Sequence, residues 1–161
     1  KAFGAQVQLA ELDPARALQA KYDGWPVVYL SEAVKTADVI ATATGAYGVV
    51  SAAHLENMKD GTFILNVGHV AQEIDVPYLK QNASHSEPMP YVNAYQLGDK
   101  TLFLLADGSM FNLTAGYGDS LNAFDVTLAV MAAGIGHIVG EGASAEKGLY
   151  LLPEHAWMSA L

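Results

Sequence analysis

The sequence has no cysteine, so no disulfide can hold the fold, and an oxidising compartment gains no support. Positive charge is also scarce: the sequence has 8 Lys and Arg but 17 Asp and Glu. The resulting net charge of −9 argues against nucleic acid or an anionic membrane as a partner. No apolar run approaches the roughly 20 residues that a membrane helix needs. We therefore expect a cytoplasmic protein that binds neither nucleic acid nor membrane.

The composition is instead that of a globular α/β protein: 161 residues that are 52% hydrophobic are enough for one domain with a real core. Strand patterns alternate with helix patterns, which predicts a Rossmann-like, mostly parallel sheet flanked by helices. We expect strands at 5–9, 26–30, 39–45 and 63–69 and a hairpin at 95–105. We expect helices at 14–23, 51–58, 76–80 and 121–135, the last with one buried apolar stripe, and a loop at 81–90.

Two short apolar runs, 39–45 (VIATATG) and 63–69 (FILNVGH), each turn polar and then reach a glycine. Uncharged strands of this kind, buried on both faces, suit the middle of a parallel sheet. Ligands of open α/β sheets bind just past the carboxyl ends of such strands. The candidate site residues are therefore Thr42, Thr44, Gly45, Asn66, Gly68 and His69.

Glu11 ends the first predicted strand, where the acid that binds the ribose of a dinucleotide belongs. That acid follows a glycine-rich turn by about 20 residues, and only ten residues precede Glu11. We therefore expect 1–161 to be a partial dinucleotide-binding domain that lacks its first strand-turn-helix unit.

Each candidate also has a plainer interpretation. Glu11 could be a solvated loop residue, and Thr42 and Thr44 could simply be β-branched sheet residues. A histidine at a strand end is usually packed or hydrogen-bonded, although His69 is accompanied by an asparagine, a glycine and Glu73. The other histidines lack ligand spacing such as H-E-x-x-H, so we predict no metal and take them as structural or exposed: His54, His85, His137 and His155.

Five stretches, in order across nearly the whole chain, carry a more specific signal: AELDPARALQA (10–20), ADVIATATG (37–45), HLENMKDGTFILNVGHVAQEIDV (54–76), LFLLADGSMFNL (102–113) and YLLPEH (150–155). They resemble the NAD-binding domain of the adenosylhomocysteinases (S-adenosylhomocysteine hydrolases). The resemblance implies a tightly held NAD that is not consumed. NAD oxidises the ribose 3′-hydroxyl of the nucleoside substrate, homocysteine is eliminated from the acidified 4′ position, water adds, and the ketone is reduced back. It also implies a homo-oligomer, usually a homotetramer.

The resemblance assigns roles to individual positions. Glu11 matches the acid that binds the adenosine ribose of NAD, and Asn112 matches the residue that binds the carboxamide. The pair Thr44–Gly45 matches the strand end beside the cofactor. The pair Gly68–His69 matches residues near the nicotinamide and the reacting ribose, which makes His69 the catalytic candidate.

Three departures from the family pattern matter. Asp119 stands where the family has a site-lining histidine, and an aspartate is not a neutral hydrogen-bond donor near pH 7 without a large upward pKa shift. Arg16 replaces an asparagine and could favour the 2′-phosphate of NADP, which Glu11 opposes. The substrate domain is absent from the chain, so we expect no turnover by the chain alone. A non-catalytic NAD- or adenosine-binding module and an ordinary NAD-dependent dehydrogenase remain as alternatives.

Overall fold

The structure, a computed structural model, describes residues 2–116, 118 and 121–158, without the side chains of 121–123. The chain forms two compact units, Lys1–Gly116 and Tyr117–Leu161. The first unit contains the strands β1 (Val39–Thr42), β2 (Phe63–Asn66), β3 (Ser84–Met89), β4 (Val92–Leu97) and β5 (Lys100–Leu105). Its helices are α1 (Pro14–Tyr22), α2 (Leu30–Ala33), α3 (Ala52–Asn57), α4 (Val76–Asn82) and α5 (Phe111–Thr114). The regular elements described in the second unit are the helices α6 (Leu121–Val139) and α7 (Glu154–Trp157) and a 3₁₀ turn at Glu141–Ser144.

One sheet joins all five strands in the order β1-β2-β5-β4-β3. β1 pairs parallel with β2 and β2 parallel with β5, whereas β4 is antiparallel to both of its neighbours. Four of the five strands consequently point in one direction, and the carboxyl ends of β1 and β2 lie side by side, with Thr42 opposite Asn66. The Rossmann-like α/β fold expected from the sequence is confirmed.

The core of the first unit forms on one face of this sheet. Ile40, Ile64 and Leu104 are buried there, while Val39 and Phe63, which point to the other face, are 54% and 39% exposed. The expectation that the central strands are buried on both faces is therefore wrong within residues 2–116. Their uncharged sequences do not distinguish a covered second face from an open one.

Helix starts follow their sequence signals closely. Asp13 caps α1 by accepting hydrogen bonds from the backbone N–H groups of Ala15 and Arg16 at 2.8 and 3.2 Å, with Pro14 in the first turn. These backbone donors, Arg16 foremost, hold the pKa of Asp13 below its ordinary value. The helix expected from Ser51 is α3: Ser51 is its N-cap residue, and the Ser51 backbone N–H donates to Nδ1 of His54 at 3.2 Å.

The expected strands 5–9 and 26–30 are reduced to a single parallel bridge between Leu9 and Val27. Leu30, expected to end the second of them, instead begins α2. Alternation of apolar and polar residues over only four or five positions is a weak signal for a strand. Here it corresponds to one bridged pair of residues rather than to two strands.

The expected hairpin is present: β4 and β5 are joined through a tight turn in which Leu97 pairs with Lys100. The expected loop at 81–90 is wrong for Ser84–Met89, which form β3 beside β4. Every residue of β3 is exposed, so this edge strand has none of the apolar alternation by which a half-buried strand is identified.

In the second unit, α6 continues past its expected end at 135 and through Gly134 and Gly136 to Val139, directly before Gly140. A glycine inside a helix costs only about 1 kcal/mol, which a long helix tolerates. Its expected buried stripe is exposed instead: Phe124, Leu128 and Ile135 have exposed fractions of 47%, 57% and 61%. Among the described residues, no helix is long and apolar enough to cross a membrane.

Candidate functional site

Glu73, a fully buried acid at the end of a single 3₁₀ turn, organises the loop after β1. The Thr44 N–H donates to both carboxylate oxygens at 3.1 and 3.0 Å, the Thr44 hydroxyl donates at 2.7 Å, and the Gly45 N–H donates at 2.8 Å. Burial by itself would raise the pKa of Glu73, but the hydrogen bonds from Thr44 and Gly45 outweigh it, and the pKa lies below its ordinary value. The ionised carboxylate thus fixes the β1 loop.

Asn66, at the end of β2, is also fully buried and links three segments. Its Oδ1 accepts from the Thr42 hydroxyl at 3.3 Å and from the Gly68 N–H at 2.7 Å. Its Nδ2 donates to the backbone oxygens of Val70 at 2.9 Å and Gly108 at 3.1 Å. The hydrogen-bonding capacity of the amide is therefore used within the chain.

The two strand-end loops meet at Gly45 and His69. Gly45 has a φ of +69°, a left-handed conformation that favours glycine, and a Cβ placed on it would lie 3.8 Å from Cε1 of His69. Thr44, Gly45 and His69 are exposed. The loops therefore place a backbone without a side chain next to an exposed imidazole, while the Thr44 hydroxyl is engaged with Glu73.

The other two predicted residues lie on different segments. Asn112 is exposed in α5, just after Met110, which forms a parallel bridge with Asn66. Glu11 is exposed, and its Oε1 accepts the Asp13 N–H at 2.9 Å. Within the described residues, no hydrogen bond or ion pair joins Glu11 to Gly45 or His69.

The structure thus brings together Thr42, Thr44, Gly45, Asn66, Gly68 and His69 at the carboxyl ends of β1 and β2, as those positions predicted. Sequence reasoning missed the role of Glu73 in joining the two loops. The available signal was weak, because the stretch from Val70 to Val76 contains Gln72 and a second acid, Asp75, beside Glu73. Asp119 lies outside the described residues.

Two pockets of about 570 and 460 Å³ lie elsewhere on the first unit. The larger is lined by residues such as His85, Tyr95 and Asp107, and the smaller by residues around Gln72 and Pro77. None of the predicted site residues lines either pocket. The candidate site is the group of six residues at the carboxyl ends of β1 and β2, which we call the shelf. Thr44, Gly45 and His69 form its exposed surface.

Parallel strands whose carboxyl ends carry glycine-containing loops are typical of a Rossmann-like dinucleotide-binding domain, and Glu11 follows the Leu9–Val27 bridge by two residues. The sequence model of the S-adenosyl-L-homocysteine hydrolase NAD-binding domain matches residues 1–118. The chain belongs to this family.

Curated relatives agree with the family assignment. The chain is 37% identical over 155 residues to the adenosylhomocysteinase of Archaeoglobus fulgidus, with 96% of the chain and 38% of that protein covered. It is 38% identical over 155 residues to the adenosylhomocysteinase of Saccharolobus solfataricus, with 95% of the chain and 37% of that protein covered. It is 34% identical over 157 residues to the S-inosyl-L-homocysteine hydrolase of Methanopyrus kandleri, with 96% of the chain and 37% of that protein covered. The chain thus spans 37–38% of the length of these relatives. An L-alanine dehydrogenase structure superimposes at a TM-score of 0.47 and 14% identity, covering 99% of this chain and 48% of its own, which is too distant to support an argument.

Family membership makes NAD the cofactor. The described residues fit it on two counts. Gly45 offers an exposed backbone without a side chain beside the exposed His69 ring, where a flat group can lie close to the main chain. Glu11 engages one carboxylate oxygen with Asp13, and its second oxygen makes no hydrogen bond within the described chain, so it can accept from a ribose hydroxyl.

Proposed function

We propose that the chain is the NAD-binding part of an S-adenosylhomocysteine hydrolase, which converts S-adenosylhomocysteine and water to adenosine and homocysteine. Bound NAD supplies the reversible oxidation of a substrate hydroxyl. Family membership and the names of the relatives support the proposal. The observation that carries it is the Glu73 carboxylate, which holds the Thr44–Gly45 loop next to the Gly68–His69 loop.

The exposed and the buried residues of the shelf would have different roles in cofactor binding. Thr44 and Gly45 would contact the cofactor directly, and the His69 imidazole would contact the nicotinamide end and the reacting sugar, where it can donate or accept a proton. Thr42 and Asn66, which are buried and bonded to one another, would serve cofactor binding through the loops that they hold.

The two ends of the cofactor would be held by the remaining predicted residues. The Glu11 carboxylate would accept hydrogen bonds from the adenosine ribose. The exposed Asn112 amide, which has both donors and an acceptor, would bind the carboxamide.

The proposal is tested on the full-length protein encoded by the complete reading frame. Incubation with S-adenosylhomocysteine and a thiol reagent should release thiol without net formation of NADH. His69→Ala should lower the release rate by about 100-fold or more, in the range of lost acid–base catalysis, while the bound NAD stays near one per chain. His85→Ala, which removes an exposed histidine of β3, is the matched control and should leave the rate unchanged.

Other outcomes identify the alternatives. NAD binding without thiol release would favour a binding module, and stoichiometric NADH from a hydroxy acid would favour an ordinary dehydrogenase. Because one relative is named for S-inosyl-L-homocysteine, that compound is assayed in parallel, and a higher kcat/KM for it would reassign the substrate within the same reaction class.

We also propose that residues 1–161 are a partial NAD-binding domain and that a separate substrate domain completes the enzyme. The part of the relatives' length that the chain does not match supports this. So does the open apolar face of the sheet at Val39 and Phe63, which a further element could cover. The complete reading frame tests the proposal: it should encode a glycine-rich strand-turn-helix unit and a second domain.

A cytoplasmic homotetramer is the remaining proposal. The absence of cysteine and the net charge of −9 support a reducing, aqueous location. The exposed apolar stripe of α6, which includes Leu128 and Met131, supports association between subunits. Light scattering of the full-length protein should give four subunits, and fractionated cells should contain it with cytoplasmic markers.

A further inference from the structure

Three side chains capable of binding a metal meet in the second unit. They are His137 in the last turn of α6, Glu141 in the 3₁₀ turn that follows, and His155 in α7. Oε2 of Glu141 lies 3.4 Å from Nδ1 of His137 and 3.1 Å from Nε2 of His155. The three ligand atoms all lie within 4.8 Å of one another. Each comes from a different element, so the cluster is a product of the fold.

Two glycines bring the chain back onto the end of α6. Gly140, with φ −90° and ψ −96°, breaks the helical path, and a Cβ on Gly142 would lie 3.2 Å from the His137 backbone oxygen. This close approach turns Glu141 towards the imidazole of His137. The His137 side chain is only 19% exposed, while those of Glu141 and His155 are 70% and 65% exposed. The cluster therefore has one anchored ligand and two that an ion can reach from solvent.

The donor set and its spacing favour one class of ion. Zinc bonds of about 2.0–2.1 Å in tetrahedral geometry place neighbouring ligand atoms roughly 3.4 Å apart. Both distances to the Glu141 oxygen are already near that value, and the ligand atoms of the two histidines lie within 4.8 Å of one another. Two imidazoles and a carboxylate suit zinc and similar transition metals, whereas magnesium and calcium take oxygen ligands.

We propose that His137, Glu141 and His155 bind a divalent transition metal ion of the zinc class, which ties α7 to the end of α6. Three protein ligands leave a fourth position for water. In a chain without cysteine, this ion would be the crosslink that closes the region after α6. The spacing of these histidines along the sequence predicted no metal, because the third ligand is 14 residues from the second. The site lies outside the NAD shelf and does not depend on the proposed reaction.

The test uses the full-length protein without any affinity tag. Zinc is titrated against a chromophoric chelator, and one ion per chain is expected, with no displacement by excess magnesium. Glu141→Gln and His155→Gln should each weaken zinc binding by about 100-fold or more, because loss of a ligand costs at least as much as loss of one of its supporting hydrogen bonds. His85→Gln, the matched control on β3, should bind as tightly as the unchanged chain.

A second readout separates a defined site from general loss of structure. On addition of zinc, the ¹⁵N resonances of the imidazole rings should show coordination through Nδ1 of His137 and Nε2 of His155, and zinc should raise the melting temperature of the unchanged chain but not of His155→Gln. Equal zinc affinity in all variants, or ring signals of His137 and His155 that do not respond, would overturn the proposal.

Discussion

A Cβ atom on Gly68 would lie 2.3 Å from Oε1 of Glu73, a separation that no pair of such atoms can hold. Oδ1 of Asn66 would be 3.2 Å away on another side. Gly45 is required for a different reason, its φ of +69°. The absence of a side chain at Gly68 is therefore what lets the buried carboxylate reach the loop after β1.

Gly68→Ala should consequently displace Glu73 and weaken its hydrogen bonds to Thr44 and Gly45. We expect a loss of about 3 kcal/mol in the free energy of unfolding, at the upper end of the cost of overpacking. Urea denaturation measures it. Gly136→Ala is the control: beyond the backbone of its own helix, no described atom would lie within 4 Å of an added Cβ, and alanine in α6 should stabilise by about 0.5–1 kcal/mol. Unchanged stability of Gly68→Ala would contradict the close contact.

The depressed pKa of Glu73 predicts a loss of stability in acid. At pH 7 the carboxylate is ionised in both the folded and the unfolded state, so its stabilising contribution is fully present. As the pH falls below the ordinary value of 4.5 and towards the lower folded pKa, the unfolded state binds the proton first and the contribution is lost. Glu73→Gln should lower the free energy of unfolding at pH 7 by about 3 kcal/mol.

The same variant should also flatten the decline of stability below pH 4.5, because the group that titrates is gone. Chemical denaturation at several pH values from 7 to 3 measures both effects. Glu32→Gln, which alters an exposed carboxylate paired with Lys35, is the control and should keep the slope of the unchanged chain. A slope in Glu73→Gln equal to that of the unchanged chain would show that Glu73 does not titrate as described.

The elements that could be predicted from the sequence are those whose signals lie in a few adjacent residues. The start of α1 is set by Asp13 and the adjacent Pro14, so it was predicted correctly. β1 and β2 were predicted from their apolar runs and begin at the expected residues, but they end at Thr42 and Asn66, three residues before the expected ends at 45 and 69.

The rest depends on distant partners. Glu73 bonds Thr44 and Gly45, which are 29 and 28 residues away, and nothing at position 73 itself specifies that distance. β3 is held by its neighbour β4 through backbone hydrogen bonds, so its polar, exposed sequence does not identify it. Pairings of this kind are visible only after the chain has folded.

Lys100 is a further residue whose role comes from such a distant contact. Its ammonium group donates hydrogen bonds to the backbone oxygens of Leu55 at 3.0 Å, of Glu56, and of Met58 at 2.9 Å, at the carboxyl end of α3. A cation at this end of a helix satisfies carbonyl groups that have no partner inside the helix.

Lys100→Met keeps much of the apolar side chain but removes these hydrogen bonds, so we expect a loss of about 2 kcal/mol in the free energy of unfolding. Thermal and urea denaturation measure it. Lys35→Met, which removes an exposed ion pair with Glu32, should change stability by less than about 0.5 kcal/mol. Equal effects of the two substitutions would mean that Lys100 does not cap α3.

Glu11 should decide the choice between NAD and NADP. Its free carboxylate oxygen can accept from a ribose hydroxyl of NAD, and its charge repels a 2′-phosphate, whereas the Arg16 guanidinium, 78% exposed and 4.0 Å from the Asp13 carboxylate, could favour that phosphate. In the full-length protein, Glu11→Gln should weaken NAD binding by about tenfold, which corresponds to one lost charged hydrogen bond, and should shift the preference towards NADP. Arg16→Ala should shift the preference the opposite way, and Glu32→Gln should leave it unchanged. Calorimetric titration with both cofactors measures these changes, and tighter binding of NADP than of NAD by the unchanged protein would show that Arg16, rather than Glu11, dominates the ribose site.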